Sequence, residues 1–165
     1  MRRSDAPAIE RILRDPRATR FLPPRLRGEP GALYVARAMD QQRKGRAAHF
    51  SLLAPDDPEP IGEVMLINWS TADRRAEVGI LLRRDRWGRG YGAEAVRRLC
   101  EFGFGPLKLH RISAQVVAGN ERSARMVRSL GFRREGRLRE VERSARRWVD
   151  LEMYGLLDGE LASVR

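Results

Sequence analysis

One cysteine, two lysines, few aromatic residues and no long apolar run limit what this 165-residue chain can be. Cys100 has no second cysteine for an internal disulfide or a thiolate cluster, and no metal-ligand spacing is visible, so no metal is expected. No segment approaches the ~20 apolar residues of a membrane span, and Met1-Arg2-Arg3 leads into Ser4-Asp5 instead of the apolar stretch of a secretory signal. The expectation is a cytoplasmic protein with no membrane partner. Aromatic content of 7% argues against an RNA-binding module, which interleaves aromatics with its basic residues. Lysine occurs only at Lys44 and Lys108, so the net charge of +11 is almost wholly arginine, a skew that a GC-rich genome also produces. That charge attracts polyanions, whether nucleic acid or a phosphorylated cofactor, and repels polycations.

Hydrophobic residues at 42% and charged residues at 33% are ordinary for a globular protein, and the length suits a single domain over 1–165. Ala8, Ile9, Ile12 and Leu13 recur at helical spacing over residues 7–14. A second helix is predicted over 30–44 with Gly45 as its stop, and strands over 47–53, 61–69 and 76–82. The strand over 61–69 places Val64 and Leu66 on one face and Met65 and Ile67 on the other; that over 76–82 is apolar on both faces and reads as central. A helix follows from Ala95 through Phe102, then a strand around Ile112 to Val117 and a short helix from Asn120 to Leu130. Two final strands, over 132–141 and 146–157, are joined by a charged turn. The order ααβββαβαββ predicts an α/β fold, one mixed sheet with helices on both faces.

Between the third strand and the third helix stands Trp87-Gly88-Arg89-Gly90-Tyr91-Gly92-Ala93. Strand, glycine turn and helix N-terminus together form an anion site, where bare backbone approaches a phosphate and N–H groups point at it. A glycine-rich connecting turn is the plain alternative for this stretch taken alone.

The second half carries further strings in order: Arg75-Ala76-Glu77-Val78-Gly79-Ile80, the glycine turn, Leu109-His110-Arg111-Ile112, Asn120-Glu121-Arg122-Ser123-Ala124-Arg125 and Leu130-Gly131-Phe132. As a combination over about 61–157 these resemble the GNAT superfamily of acyl-CoA-dependent N-acetyltransferases, most closely the branch that acetylates the N-termini of ribosomal proteins. There are two departures. Trp87 stands where much of the superfamily has Gln or Arg, and the family's opening strand is shortened or absent.

The resemblance implies the GNAT acyl-CoA N-acyltransferase fold, with acetyl-CoA as cosubstrate. The backbone of Gly88, Arg89, Gly90, Tyr91, Gly92 and Ala93 would hold its diphosphate. Ile80, Leu81 and Leu82 would splay from the neighbouring strand and offer unpaired backbone groups to the pantetheine arm and the thioester carbonyl. Asn120 would bond the pantetheine arm, though it equally suits a helix N-cap. Arg89 and Arg125 are candidate phosphate contacts, with solvated surface arginine as the alternative. Ser123 would protonate the leaving thiolate, against a plain first-turn serine. Glu77 is the candidate general base and Glu63 its rival, while either also fits a sheet-surface glutamate. Cys100 reads as a core residue and not as a nucleophile. His110 reads as structural, and His49 has no visible partner.

The resemblance implies direct attack of a primary amine on the thioester, a protein N-terminal α-amine being the expected acceptor. Such an amine has a pKa of about 7.7–8.0 and needs less help from a base than lysine at about 10.4. The hairpin from Arg133 to Arg143 would line the acceptor cleft, and no strongly acidic pocket suited to a polyamine is advertised. The alternatives are acetylation of a small-molecule amine, a non-catalytic CoA-binding sensor and an arginine-driven nucleic-acid module. Nucleic acid is expected near the protein only through a ribosomal context, and a monomer or homodimer is compatible with all of these.

Overall fold

The computed structural model describes residues 1–144 and 147–162. Helix α1, Ala6–Arg14, buries the Ala8, Ile9, Ile12 and Leu13 stripe that its periodicity predicts. Helix α2, Gly31–Arg43, packs against it at close range. A Cβ on Gly31 would stand 2.1 Å from the Ala6 carbonyl oxygen, so only glycine permits that approach. The Gly31 N–H donates to Glu10 Oε2 at 2.9 Å, giving the α2 N-terminus a carboxylate from its partner helix.

Strands β1 (Ala48–Leu52), β2 (Gly62–Ser70) and β3 (Arg75–Leu82) form an antiparallel meander. Helix α3 (Tyr91–Phe104), strand β4 (Arg111–Val117) and helix α4 (Glu121–Ser129) follow. Strands β5 (Arg133–Ser144) and β6 (Arg147–Leu157) close the chain. The expected element order is the observed one, with added 3₁₀ turns at Pro24–Leu26 and Arg84–Arg86. Strand β5 runs beyond its predicted end because Glu142 and Arg143 pair with Val149 and Trp148. The charged turn expected over 142–145 is corrected in its first three residues, which belong to β5, and the rest of it lies outside the described residues. No strand precedes α1 among the described residues.

The six strands form one mixed sheet in the order β1-β2-β3-β4-β6-β5, in which only β3 and β4 run parallel. Strand β3 serves two cores. Its Ala76 and Val78 join α3, α4, β4 and β6 in the larger one. Its Leu81 joins Ile9, Ile12, Leu13, Tyr34 and Val35 of α1 and α2 in the smaller. The prediction of a central strand apolar on both faces therefore holds. The β3–β4 pairing covers only Arg75↔Arg111, Ala76↔Ile112 and Glu77↔Ser113. Beyond Glu77 the two strands separate, and a cleft opens through the sheet.

Candidate active site

The cleft has a volume of 990 Å³, and both separated strands line it, β3 from Glu77 to Leu82 and β4 from Ala114 to Val117. On its other edge β3 remains fully paired with β2 as far as Leu82. The edge facing β4 turns the backbone groups of Ile80 and the Leu82 N–H toward the cleft, whereas strand alternation points the Leu81 N–H and C=O at Glu63 of β2, which corrects the expectation at Leu81. Two parallel strands diverging this way leave an extended ligand room to run between them.

At the wide end of the cleft lies the N-terminus of α3. Its N-cap is Gly90, at φ +84, with no side chain to accept from the first turn. The N–H groups of Tyr91, Gly92 and Ala93 thus begin a 14-residue helix uncapped and at the cleft wall. Helix α4 is the contrast, because Asn120 Oδ1 accepts from Ser123 N–H at 3.3 Å. Gly88, at φ +74, and Gly90 both have open space where a Cβ would stand. The turn needs glycine for its left-handed backbone and leaves the approach to the N–H groups clear. A Cβ on Gly92 would meet Met126 Sδ at 3.3 Å, so that glycine also eases packing of α3 on α4. An uncapped helix start behind a glycine turn fits a diphosphate.

Trp87 shows what the departure from the family pattern does. Its indole N–H donates to the Leu82 carbonyl at 2.9 Å, tying the glycine turn to the end of β3. The Arg122 guanidinium lies over its ring at 3.3 Å from the centroid. Arg122 lines the cleft, and partial burial lowers its pKa. This stacked arginine was not among the expected site residues; 35 positions separate the pair, and nothing local signals their contact. Upstream, Asp57 pairs with Arg83 and, at 2.7 Å, with Arg86, holding the turn between β1 and β2 against the 3₁₀ turn before Trp87. The Arg83 bond foremost, then the Glu59 N–H at 3.1 Å and the Arg86 bond, pull the Asp57 carboxyl down to about 2.

Asn120 fulfils the N-cap reading and also lines the cleft, where its Nδ2 has no partner among the described residues. One side chain thus combines the N-cap bond with a place at the cleft wall. Ser123 is half-buried at the cleft wall, and its hydroxyl makes no hydrogen bond among the described residues. Arg89 stands exposed beside Gly90 at a shallow pocket over the start of α3. Arg125 is exposed and does not reach the cleft wall.

The two glutamates expected to compete as base separate cleanly. Glu77 lies at the point where β3 and β4 part, half-buried, lining the cleft. Its Oε2 accepts from Asn68 Nδ2 and Gln115 Nε2, both at 3.1 Å. Burial raises its pKa, the Asn68 amide pulls it back and the charge of Glu142 raises it again. Glu63 is fully buried, takes the Tyr34 hydroxyl at 2.7 Å and His49 Nδ1 at 2.5 Å, and does not line the cleft. Both oxygens of Glu63 are thus engaged, one by Tyr34 at the cleft wall and one by buried His49, which argues against the rival reading of Glu63 as the base. His49, for which the sequence showed no partner, is half of that buried pair.

Cys100 is fully buried in α3, and burial pushes its thiol up to about 12, consistent with a core residue. His110 is exposed at the start of β4, its backbone N–H bonded to the Arg74 carbonyl. The β5–β6 hairpin contributes Glu142 and Leu151 to the cleft. Much of its charge is self-paired, including Arg137 with Asp150 at 2.7 Å and Arg134 with Glu152 at 3.3 Å. The hairpin is thus partly a solvated charge surface and partly a cleft wall.

The model of the acetyltransferase (GNAT) domain matches residues 1–133. An uncharacterized N-acetyltransferase, p20, from Bacillus licheniformis is 37% identical over 123 residues, 74% of this chain and 69% of that protein. The fold superposes on the spermidine N-acetyltransferase of Vibrio cholerae in complex with CoA and spermine, with a TM-score of 0.86 at 21% identity, covering 97% of this chain and 94% of that one. It also superposes on the ribosomal-protein-S5-alanine acetyltransferase of Vibrio fischeri, with a TM-score of 0.84 at 22% identity, covering 99% and 93%. No helix among the described residues is long and apolar enough to cross a membrane.

Proposed function

Because the chain belongs to the GNAT family of acetyl-CoA-dependent N-acetyltransferases, we propose that it acetylates a protein N-terminal α-amine by direct attack, with a single domain over 1–165 carrying the reaction. The observation that carries this reading is convergence. One cleft holds the uncapped α3 N-terminus, the separated edges of β3 and β4, and a carboxylate at their point of separation. Acetyl-CoA supplies an acetyl group on a thioester open to an amine.

The protein's share is binding, aiming and proton handling. The N–H groups behind Gly88 and Gly90 hold the diphosphate, with Arg122 on Trp87 and the exposed Arg89 as further positive charge. The β3 edge at Ile80 and Leu82 together with Asn120 Nδ2 orients the pantetheine arm, and β3 N–H groups stabilise the negative charge that develops on the carbonyl oxygen. Glu77 faces the incoming amine and takes its proton. The Ser123 hydroxyl delivers a proton to the departing sulfur. Holding amine and thioester in register supplies the larger part of the acceleration, up to ~7–11 kcal/mol in well-oriented cases. Proton transfer adds about 100- to 10,000-fold.

A polyamine is the second reading, since a spermidine acetyltransferase shares the fold. The charge of the cleft opposes it. Arg17, Arg20, Arg25 and Arg122 line the cleft against Glu77, Glu121 and Glu142, while the charge of Arg86 at the same wall is met by Asp56 and Asp57. The test is thiol release from acetyl-CoA across N-terminal peptides, spermidine and small amines. Peptide turnover exceeding that of spermidine is expected. Turnover of spermidine alone would transfer the proposal to the small-amine class, and CoA binding with no turnover of any amine would leave a sensor. Ser123→Ala is expected to lower kcat with CoA affinity unchanged.

A further inference from the structure

The loop between α1 and α2 covers one end of the cleft, and it is a built structure. Asp15 Oδ1 accepts from the N–H of Arg17 at 2.8 Å and of Ala18 at 3.3 Å, and Thr19, itself buried, donates its hydroxyl to the Asp15 carbonyl at 2.8 Å. The Arg27 guanidinium ties the carbonyls of Leu22 and Arg20 together, with bonds of 2.9–3.0 Å, and Gly28 N–H returns to the Leu13 carbonyl at 2.8 Å. Leu22 and Leu26 pack on the cluster that contains Leu81. The loop therefore presents its remaining side chains in a defined direction.

Those side chains include arginines outside any ion pair of the described residues, of which Arg17 lies next to Asp15 in the loop and Arg20 and Arg25 lie farther along it. Arg20 and Arg25 line the cleft, are exposed, and have no acidic partner among the described residues. Elsewhere arginines are commonly matched to acids, as in Arg37 with Glu29, Arg86 with Asp57 and Arg111 with Glu135. Arg20 also stacks its guanidinium on Phe21, another cleft residue, at 5.1 Å from the ring centroid. The opposite sign lies at the other end of the same sheet face. Glu77 and Glu142 both line the cleft, and the charge of Glu142 raises the Glu77 pKa. From Glu77 to Leu81, where the loop packs, is four residues of β3, about 13 Å at ~3.3 Å per residue.

We propose that the acceptor is an acidic N-terminal segment, its α-amine at Glu77 and the carboxylates of its third and fourth residues at Arg20 and Arg25. An extended peptide spans that separation in three to four residues. This rests on the peptide reading of the acceptor and deepens it. A polycation would meet like charge at the loop, whereas a dipolar chain, positive at its head and negative a few residues on, matches both ends.

The test uses the full-length protein saturated with CoA and three heptapeptides with free N-termini, identical except for Glu-Glu, Gln-Gln or Lys-Lys at positions three and four. Binding is read by calorimetry and acetyl transfer by thiol release. The Glu-Glu peptide is expected to bind about tenfold more tightly than Gln-Gln, with Lys-Lys weakest, and the spread to shrink in high salt. The double variant Arg20→Glu/Arg25→Glu is expected to reverse the order without changing CoA affinity, and Arg20→Gln/Arg25→Gln to abolish it. Equal binding of the three peptides, or a loss of CoA affinity in the charge-reversed variant, overturns the proposal; the latter places the arginines on coenzyme phosphate. Acetyl transfer to all three peptides alike would sink this inference and leave the peptide acceptor standing. An acidic preference in binding with transfer to none of the peptides would overturn the peptide acceptor and this inference with it.

Discussion

Glu63 and Glu77 make a controlled pair, because one is assigned to the fold and the other to the chemistry. In Glu63→Gln the side-chain volume is kept and the charge removed. The variant loses a carboxylate that accepts from Tyr34 and faces His49 in a fully buried setting. Hydrogen bonds to a charged group are each worth about 1.5–3 kcal/mol, and the amide oxygen retains one of the two contacts. A net loss of about 1.5–3 kcal/mol follows, or a fall in Tm of roughly 3–12 °C for a chain of this size. Acetyl-CoA KM and kcat, measured well below that Tm, stay within about threefold, since kcat losses of the proton-transfer kind begin at about a hundredfold. Glu77→Gln inverts the pattern. Its carboxylate is half-buried and both amides donate to one oxygen, which a glutamine oxygen replaces, so the stability loss is expected to be smaller than in Glu63→Gln. The kcat falls about a hundredfold, and the deficit narrows above pH ~8, where more of an α-amine is already neutral. The assays are a thermal melt and steady-state thiol release on both variants. A Glu63→Gln protein with unchanged Tm and collapsed kcat would show that the buried carboxylate is the base, refuting the separation of roles.

Gly90→Glu leaves the sheet and helices intact, as its Cβ would meet nothing within 4 Å, but it strains a left-handed backbone and sets a negative charge at the proposed diphosphate site. Calorimetry is expected to show CoA affinity reduced at least about tenfold, with a Tm fall of only a few degrees; undiminished affinity would remove the glycine turn from the binding site. Asp57 has a folded pKa lowered to about 2 by Arg83, the Glu59 N–H and Arg86, so its stabilising contribution is complete above its unfolded pKa and is lost as pH falls through about 4 toward 2. Asp57→Asn removes that contribution at every pH, so the variant and the parent are expected to differ at pH 7 and to converge near pH 2. Trp87→Phe keeps an aromatic face for Arg122 but drops the bond to Leu82; CoA affinity is expected to fall a few-fold in titrations, and Trp87→Ala further, through loss of a contact worth about 0.5–2 kcal/mol.

Much of this protein is written locally. The 3.6-residue stripe of α1, the two-sided apolar run of β3 and the glycines before α3 each determine their element through short-range rules of burial and backbone freedom, and the resulting element order is the one observed. The turn proposed to hold the coenzyme is legible for the same reason: a diphosphate site made of consecutive backbone N–H groups has to be contiguous in the chain. The Asn120 and Ser123 pair is legible too, since a cap and its first turn are three residues apart.

The roles of the charged side chains are decided only in three dimensions. Glu63 sits opposite Leu81, and Glu77 opposite Ile67, so both carboxylates lie on one face of the same two strands. Alternation along the chain cannot distinguish them. Helices α1 and α2 cover the Leu81 end of that face, supplying Tyr34, and β1 adds His49 beside Glu63; the Glu77 end is left open where β3 parts from β4. Arg122 on Trp87, and Arg20 and Arg25 at the cleft lip, belong to the same class. Periodicity states which way a side chain points from its strand or helix, whereas what lies across from it is set by the packing of distant segments, and that packing alone determines whether a charge is paired, buried or left facing a substrate.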